Sequence, residues 1–176
     1  LQARWGWYLA AAGGIALQGW SLVCEQKALK QHEWVVPHQT AKTGFWVRQG
    51  TRLEWHSGES GQAPPGAVSD YLQLEGLDSL VHKSLKQAYR AGDRRIFRLE
   101  KDGLLPGEGY RPDILLLSHS PRVHLGRVLQ KWHPDLVVAD GSNYHSDLDR
   151  WAASCRAAGI PFHATARQGA FRLKLE

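Results

Sequence analysis

A chain of 176 residues has room for one ordinary domain. Its formal net charge is +5, a mildly basic balance that permits contact with nucleic acid or anionic lipid and demands neither. The two cysteines, Cys24 and Cys155, show no C-x-x-C or Cys/His finger spacing, which excludes the common structural zinc motifs. The absence of Met, with Leu1 at the start, points to a piece of a longer protein.

The run from Trp5 to Cys24 holds about twenty residues without a charge. A helix of that length reaches across a hydrocarbon core of roughly 30 Å. Trp5, Trp7 and Tyr8 lie at one end and Trp20 at the other, where interfacial aromatics sit. The run is rich in Ala and Gly, which suits packing against other membrane helices. Residues 1–30 are therefore expected to form a transmembrane helix and its exit, and residues 31–176 a soluble domain. A disulfide between Cys24 and Cys155 is not expected, because Cys24 ends the apolar run.

Three short strands follow at Glu33–His38, Gly44–Arg48 and Thr51–His56, rich in β-branched and aromatic residues. Ser57–Gly66 reads as a loop. Leu77, Leu80, Val81, Leu85, Ala88 and Tyr89 recur at three-to-four spacing and predict a helix over Leu77–Ala91. Arg94–Leu99 alternates as a strand does, and Asp102–Arg111 is a Gly/Pro loop. From Asp113 the pattern is regular. Ile114–Leu117 and Leu136–Ala139 are continuous apolar runs of the kind that buried parallel strands show. Val123–Trp132 and the stretch marked by Leu148, Trp151, Ala152 and Cys155 are helices, the latter ending at Gly159. Pro161–Ala164 and Ala170–Leu175 close the chain as strands about a turn at Gln168–Gly169. The order argues for an α/β fold, a sheet with helices on its face.

In such sheets ligands bind beyond the carboxyl ends of strands. Two loops leave strands that way: Ser118-His119-Ser120, and Asp140-Gly141-Ser142-Asn143 followed by His145. If the strands are neighbours, His119, Asp140 and His145 share one rim. Asp140–Asn143 is also a good turn, with Ser142 or Asn143 as helix N-cap. No phosphate-binding loop, no G-x-G-x-x-G, no nucleophile elbow and no H-x-H-x-D-H or H-E-x-x-H occurs. The densest basic stretch is Arg90, Arg94, Arg95, Arg98 and Lys101, with Arg122, Arg127 and Lys131 beyond it.

The succession Asp113-Ile-Leu-Leu-Leu-Ser-His-Ser, Lys131-Trp-His-Pro-Asp-Leu-Val-Val, Asp140-Gly-Ser-Asn, His145, Ala158-Gly-Ile-Pro-Phe-His-Ala-Thr and Gly169-Ala-Phe-Arg-Leu resembles the C-terminal half of the metallo-β-lactamase-like domain of ComEC-type DNA-uptake proteins. Residues 113–175 carry the resemblance best. It implies a shortened metallo-β-lactamase-like sheet with helices. The family's His-His-Gly-Ser loop has become Ser118-His119-Ser120-Pro121 here, and His145 falls near the His-Pro that closes the family's site. The H-x-H-x-D-H motif, which supplies most metal ligands in the catalytic members, is missing. Asp113, His119, Asp140 and His145 are thus the residues of a degenerate site, short of the ligand set a hydrolytic zinc site uses. No metal or other cofactor, and no catalysis, is expected.

The resemblance implies the C-terminal part of a multi-pass protein of the bacterial cytoplasmic membrane that moves DNA during natural transformation. Its partners would be the membrane, the protein's own upstream channel helices and DNA, with the soluble domain on the outer face. The eight basic residues named above would meet the DNA. Two other readings stand beside it. One is a metal-dependent nuclease or phosphodiesterase, with Asp113, His119, Asp140 and His145 as ligands. The other is a membrane-tethered interaction domain unrelated to DNA.

Overall fold

The computed structural model describes residues 2–38, 43–58, 66–103 and 109–175, without the side chains of residues 2–11. The interfacial roles expected of Trp5, Trp7 and Tyr8, and most of the loops read at Ser57–Gly66 and Asp102–Arg111, lie outside the described residues.

The apolar run does form one helix, α1 (Gln2–Leu29), 28 residues long. Among the described residues, however, no helix is long and apolar enough to cross a membrane. Length is not what fails, since 28 residues rise about 42 Å at 1.5 Å each. Apolarity fails. Gly13, Gly14, Gly19, Gln18 and Ser21 dilute the Leu and Ile content, and Glu25 and Lys27 fall within the same helix. This corrects the expectation of a span at Trp5–Cys24. The helix nonetheless leaves apolar side chains uncovered: Ile15, Leu17, Trp20 and Leu22 are all exposed.

The three strands read after it are present as β1 (His32–Val36), β2 (Gly44–Gln49) and β3 (Arg52–Ser57). They pair antiparallel in that order, with a turn between β2 and β3 at Gly50, whose φ of +63° suits glycine. The expected helix over Leu77–Ala91 is not formed. Those residues make two strands, β4 (Ser79–Ser84) and β5 (Ala88–Ala91), in different sheets. β4 runs parallel to β3, so the chain must cross back between them. The crossover carries the helix α2 (Gly66–Leu74), which buries Val68 and Tyr71. Tertiary pairing has overridden a chance three-to-four spacing.

The remainder follows the sequence pattern closely: β6 (Arg94–Leu99), β7 (Ile114–Leu117), α3 (Leu125–Trp132), β8 (Leu136–Ala139), α4 (His145–Ala157), β9 (Phe162–Ala164), α5 (Thr165–Gln168) and β10 (Phe171–Lys174). β6 to β9 are parallel neighbours, with α3 and α4 as crossovers. The two closing strands do not form a hairpin. β9 ends the second sheet, while β10 leaves it and pairs antiparallel with β1 in the first.

Two five-stranded sheets result, ordered β10-β1-β2-β3-β4 and β5-β6-β7-β8-β9. Side chains alternate across a strand, so each sheet buries both faces. Trp34, Val36, Phe45 and Val47 of the first meet Ile96, Ile114, Leu116 and Val138 of the second in one cluster between the sheets. Phe97, Leu99, Leu115, Leu117 and Val137 face the other way, onto α3 and α4. Val35, Trp46, Leu53 and Trp55 face α2. The order of layers is α/β/β/α. Strands covered on both faces read as unbroken apolar runs, which is why Ile114–Leu117 is legible in the sequence.

Candidate functional site

The carboxyl ends of β7 and β8 are neighbours, because the two strands pair in parallel from Ile114–Leu136 to Leu117–Ala139. Their exit loops therefore share one rim. The turn after β7 is unusual. His119 and Ser120 have φ of +56° and +51°, two consecutive left-handed residues without a glycine. Such backbone persists only where its surroundings over-determine it.

The second loop does so. The Ser118 hydroxyl donates to Asp140 Oδ2 at 2.8 Å. The His119 amide donates to Ser142 Oγ and the Ser120 amide to Asn143 Oδ1, each at 2.8 Å. Asn143 Nδ2 donates in turn to the carbonyls of Leu117 (2.7 Å) and Asp140 (2.9 Å). The Ser142 amide and hydroxyl both donate to Asp140 Oδ1. Asp140 is 2 % exposed and Asn143 6 %. Ser142 and Asn143 thus clamp the β7 turn and do not cap α4 as expected. The N-cap position is Tyr144, which has no side-chain cap bond, and its amide donates to Ser120 Oγ at 2.8 Å.

The first sheet reaches the same rim through Thr43, just before β2. Its buried hydroxyl lies 3.2 Å from His119 Nδ1 and 3.2 Å from Ser142 Oγ. No motif marks Thr43 in the sequence. It lies 76 residues from His119, and only the stacking of the sheets brings it there.

Of the four residues assigned to a degenerate site, the structure joins His119 to Asp140, through Ser142. Asp113 stands apart. It precedes β7 at the opposite end of the strand, roughly 16 Å along the chain from Ser118 at 3.3 Å per residue. There it takes a paired contact from Arg95 (Nη2–Oδ1 2.9 Å, Nε–Oδ2 3.2 Å), and that hydrogen bonding holds its carboxyl below the usual range. His145 is exposed at the start of α4. Among the described residues no group of three or more His, Cys, Asp or Glu side chains is placed to hold a metal ion. The donor set of the rim therefore does not fit the metal that the fold family implies.

The eight basic residues expected to meet DNA are dispersed. Arg98 is 4 % exposed, bonded to the Lys86 carbonyl (3.0 Å) and Glu100, so it lies inside the protein. Burial lowers its pKa despite the nearby charge of Asp140. Arg94 pairs with Asp135 at 2.7 Å and Arg95 with Asp113. Arg90, Lys101, Arg122, Arg127 and Lys131 are exposed.

His56, near the end of β3, is a buried titratable group that sequence spacing does not single out. Its ring stacks on Phe45 at 4.8 Å and meets the edge of Tyr89, from the other sheet, at 5.3 Å. Its Nδ1 has no hydrogen-bond partner among the described residues. Burial lowers its pKa from 6.5 to about 4. The unfolded chain's imidazole takes up a proton near 6.5, the folded one only near 4. Between those values the unfolded state binds more protons, so stability falls as pH drops through that window and levels off below it. At about 1.4 kcal/mol per unit the loss reaches up to about 3 kcal/mol. Urea unfolding at about pH 7 and about pH 4.5 measures it, and His56→Leu should flatten the difference. An unchanged slope in the variant would place the acid sensitivity elsewhere.

The profile of the ComEC C-terminal domain matches residues 34–175. The chain belongs to that family. The match takes in both sheets and all the rim residues and leaves out α1. Among solved structures, a metallo-β-lactamase fold protein, YhfI from Bacillus subtilis, superposes with a TM-score of 0.50 at 9 % identity, over 81 % of this chain and 99 % of that one. At that identity the likeness concerns the fold alone, and it agrees with the α/β/β/α layering. No curated protein matches the chain in sequence.

Proposed function

We propose that this chain is the C-terminal part of a ComEC-like protein of the bacterial cytoplasmic membrane that takes up DNA in natural transformation. Its folded domain docks on the channel, on the outer face of the membrane, and guides DNA without cleaving it. The observation that carries the reading is the family match over residues 34–175, joined to a rim of hydroxyls, one imidazole and one carboxyl where a hydrolase would need a ligand cluster. Ser118, Ser142 and Thr43 spend their hydroxyls on each other and on Asp140 and His119, which suits a rigid docking edge. The uncovered apolar side chains of α1 suit packing against other helices of the intact protein.

The full chain should bind single-stranded DNA of unrelated sequences with similar affinity, weakening steeply with salt. Incubated with labelled DNA and zinc, manganese or magnesium, it should leave the strand intact. Chelator-sensitive cleavage would favour the nuclease reading, and no DNA binding at low salt would remove the guiding role.

A further inference from the structure

Beyond the rim, the chain turns at Pro121 and runs into α3, and a cleft of about 430 Å³ opens there between the start of α3 and the side of α4. Its walls are Arg122, Val123, His124, Leu125, Arg150 and Ser154. Three of the six carry cationic or titratable basic groups and none carries a carboxyl group. Arg150 and Ser154 stand one turn apart on α4, on the face turned to the cleft. The His124 ring lies over the opening turn of α3, where a Cβ at Gly126 would meet its Cε1 at 3.3 Å, so a glycine there leaves it room. α3 has no acidic residue in its first turn, and the His124 side chain makes no cap bond. The nearest acidic partner is Asp147, which receives one Arg150 nitrogen at 2.8 Å, while Arg150 stays 66 % exposed. Val123 and Leu125 give the cleft an apolar base, against which a sugar or a base can lie.

We propose that this cleft is a phosphodiester-binding subsite, taking a backbone phosphate of single-stranded nucleic acid between Arg122 and Arg150. It rests on the DNA-guiding reading and deepens it. Two guanidinium groups converging on one depression match the planar, paired donation that phosphate oxygens accept. The cleft follows directly on the β7 turn, so a strand held there would run past the His119–Asp140 rim.

The test uses the full chain and a fluorescein-labelled oligothymidylate of about twelve nucleotides, read by anisotropy from about 50 to about 200 mM salt. Arg122→Ala with Arg150→Ala should weaken Kd at the lower salt about ten-fold or more, and make the slope of log K on log salt shallower by roughly 0.7, the value for one single-strand phosphate contact. Arg52→Ala with Lys83→Ala removes as much charge from the β3–β4 surface and should change Kd less than about two-fold. Circular dichroism confirms that each variant folds. If the wild type binds and both double variants lose affinity equally, the cleft is overturned and the DNA reading stands. If the wild type does not bind the oligonucleotide, both fall. Calorimetry with inorganic pyrophosphate separates a further case: binding of that anion through Arg122 and Arg150, without oligonucleotide binding, would make the ligand a small free phosphate and overturn the proposal.

Discussion

Replacing Trp34 by alanine is expected to bring the domain close to unfolding. Trp34 is 0 % exposed on β1, which lies between β10 and β2. Its ring meets Phe45 and Phe171 edge-on, each at 5.8 Å, and faces the second sheet through the shared cluster. Truncating a buried Trp costs about 3–5 kcal/mol in lost transfer and cavity terms. Domains of this size have only about 5–15 kcal/mol in hand. The urea midpoint should fall steeply, with loss of the near-ultraviolet circular dichroism of the packed aromatics. Trp34→Phe should cost far less, since the Trp34 Nε1 has no hydrogen-bond partner to lose among the described residues. A cost below about 1 kcal/mol for the alanine variant would mean that the two sheets are not packed through this residue.

The second half of the fold is legible in the sequence because its physics is local. Ile114–Leu117 and Leu136–Ala139 are strands covered on both faces, and the helices between them carry their apolar residues at helical spacing. The first half is governed by pairing at a distance. Leu80, Val81, Ala88 and Tyr89 sit at spacings that suit a helix as well as two strands. The choice is made by β3, which offers β4 its edge, and by β6, which takes β5. Both are edge strands: β4 is mostly exposed and shows no clean alternation, and β5 alternates over only four residues, too few to stand out in the sequence. The closing segment misleads for a related reason. Gln168-Gly169 is a good turn, but the strands on either side belong to different sheets, and turn chemistry cannot report that.

The rim is legible as loops and not as a network. His119 and Asp140 follow apolar runs, and strand-exit logic finds them. Asn143 and Ser142 have the composition of a cap, and nothing local says that their acceptors and donors go to the β7 turn. The left-handed backbone of His119 and Ser120 leaves no trace, because such conformations are commonly read from glycine or asparagine, and neither residue is one. Family resemblance groups Asp113 with the rim, although a strand's two ends cannot serve one site.

The same network makes Asp140 the residue on which the rim depends. Asp140→Ala removes the acceptor of the Ser118 hydroxyl, the Ser142 amide and the Ser142 hydroxyl at once. Ser142 can turn to Thr43, 3.2 Å away, but Ser118 is fully buried and its hydroxyl has no other partner among the described residues. An orphaned buried donor costs about 1–3 kcal/mol, so two of them should destabilise the domain by about 3 kcal/mol. Asp140→Asn keeps one carbonyl oxygen facing Ser142 and offers Ser118 a donor in place of an acceptor, which a hydroxyl can accept. Its cost should stay near 1 kcal/mol, about one hydrogen bond, if hydrogen bonding is what Asp140 supplies. Should the asparagine cost as much as the alanine, the charge itself is what matters, because it acts on the buried Arg98 guanidinium nearby. Amide exchange separates a local from a global effect. In the alanine variant the His119 and Ser120 amides should lose protection first, because Ser142 and Asn143, which hold them, are themselves positioned by Asp140. With that clamp gone, the strained turn has no reason to keep two non-glycine residues at positive φ.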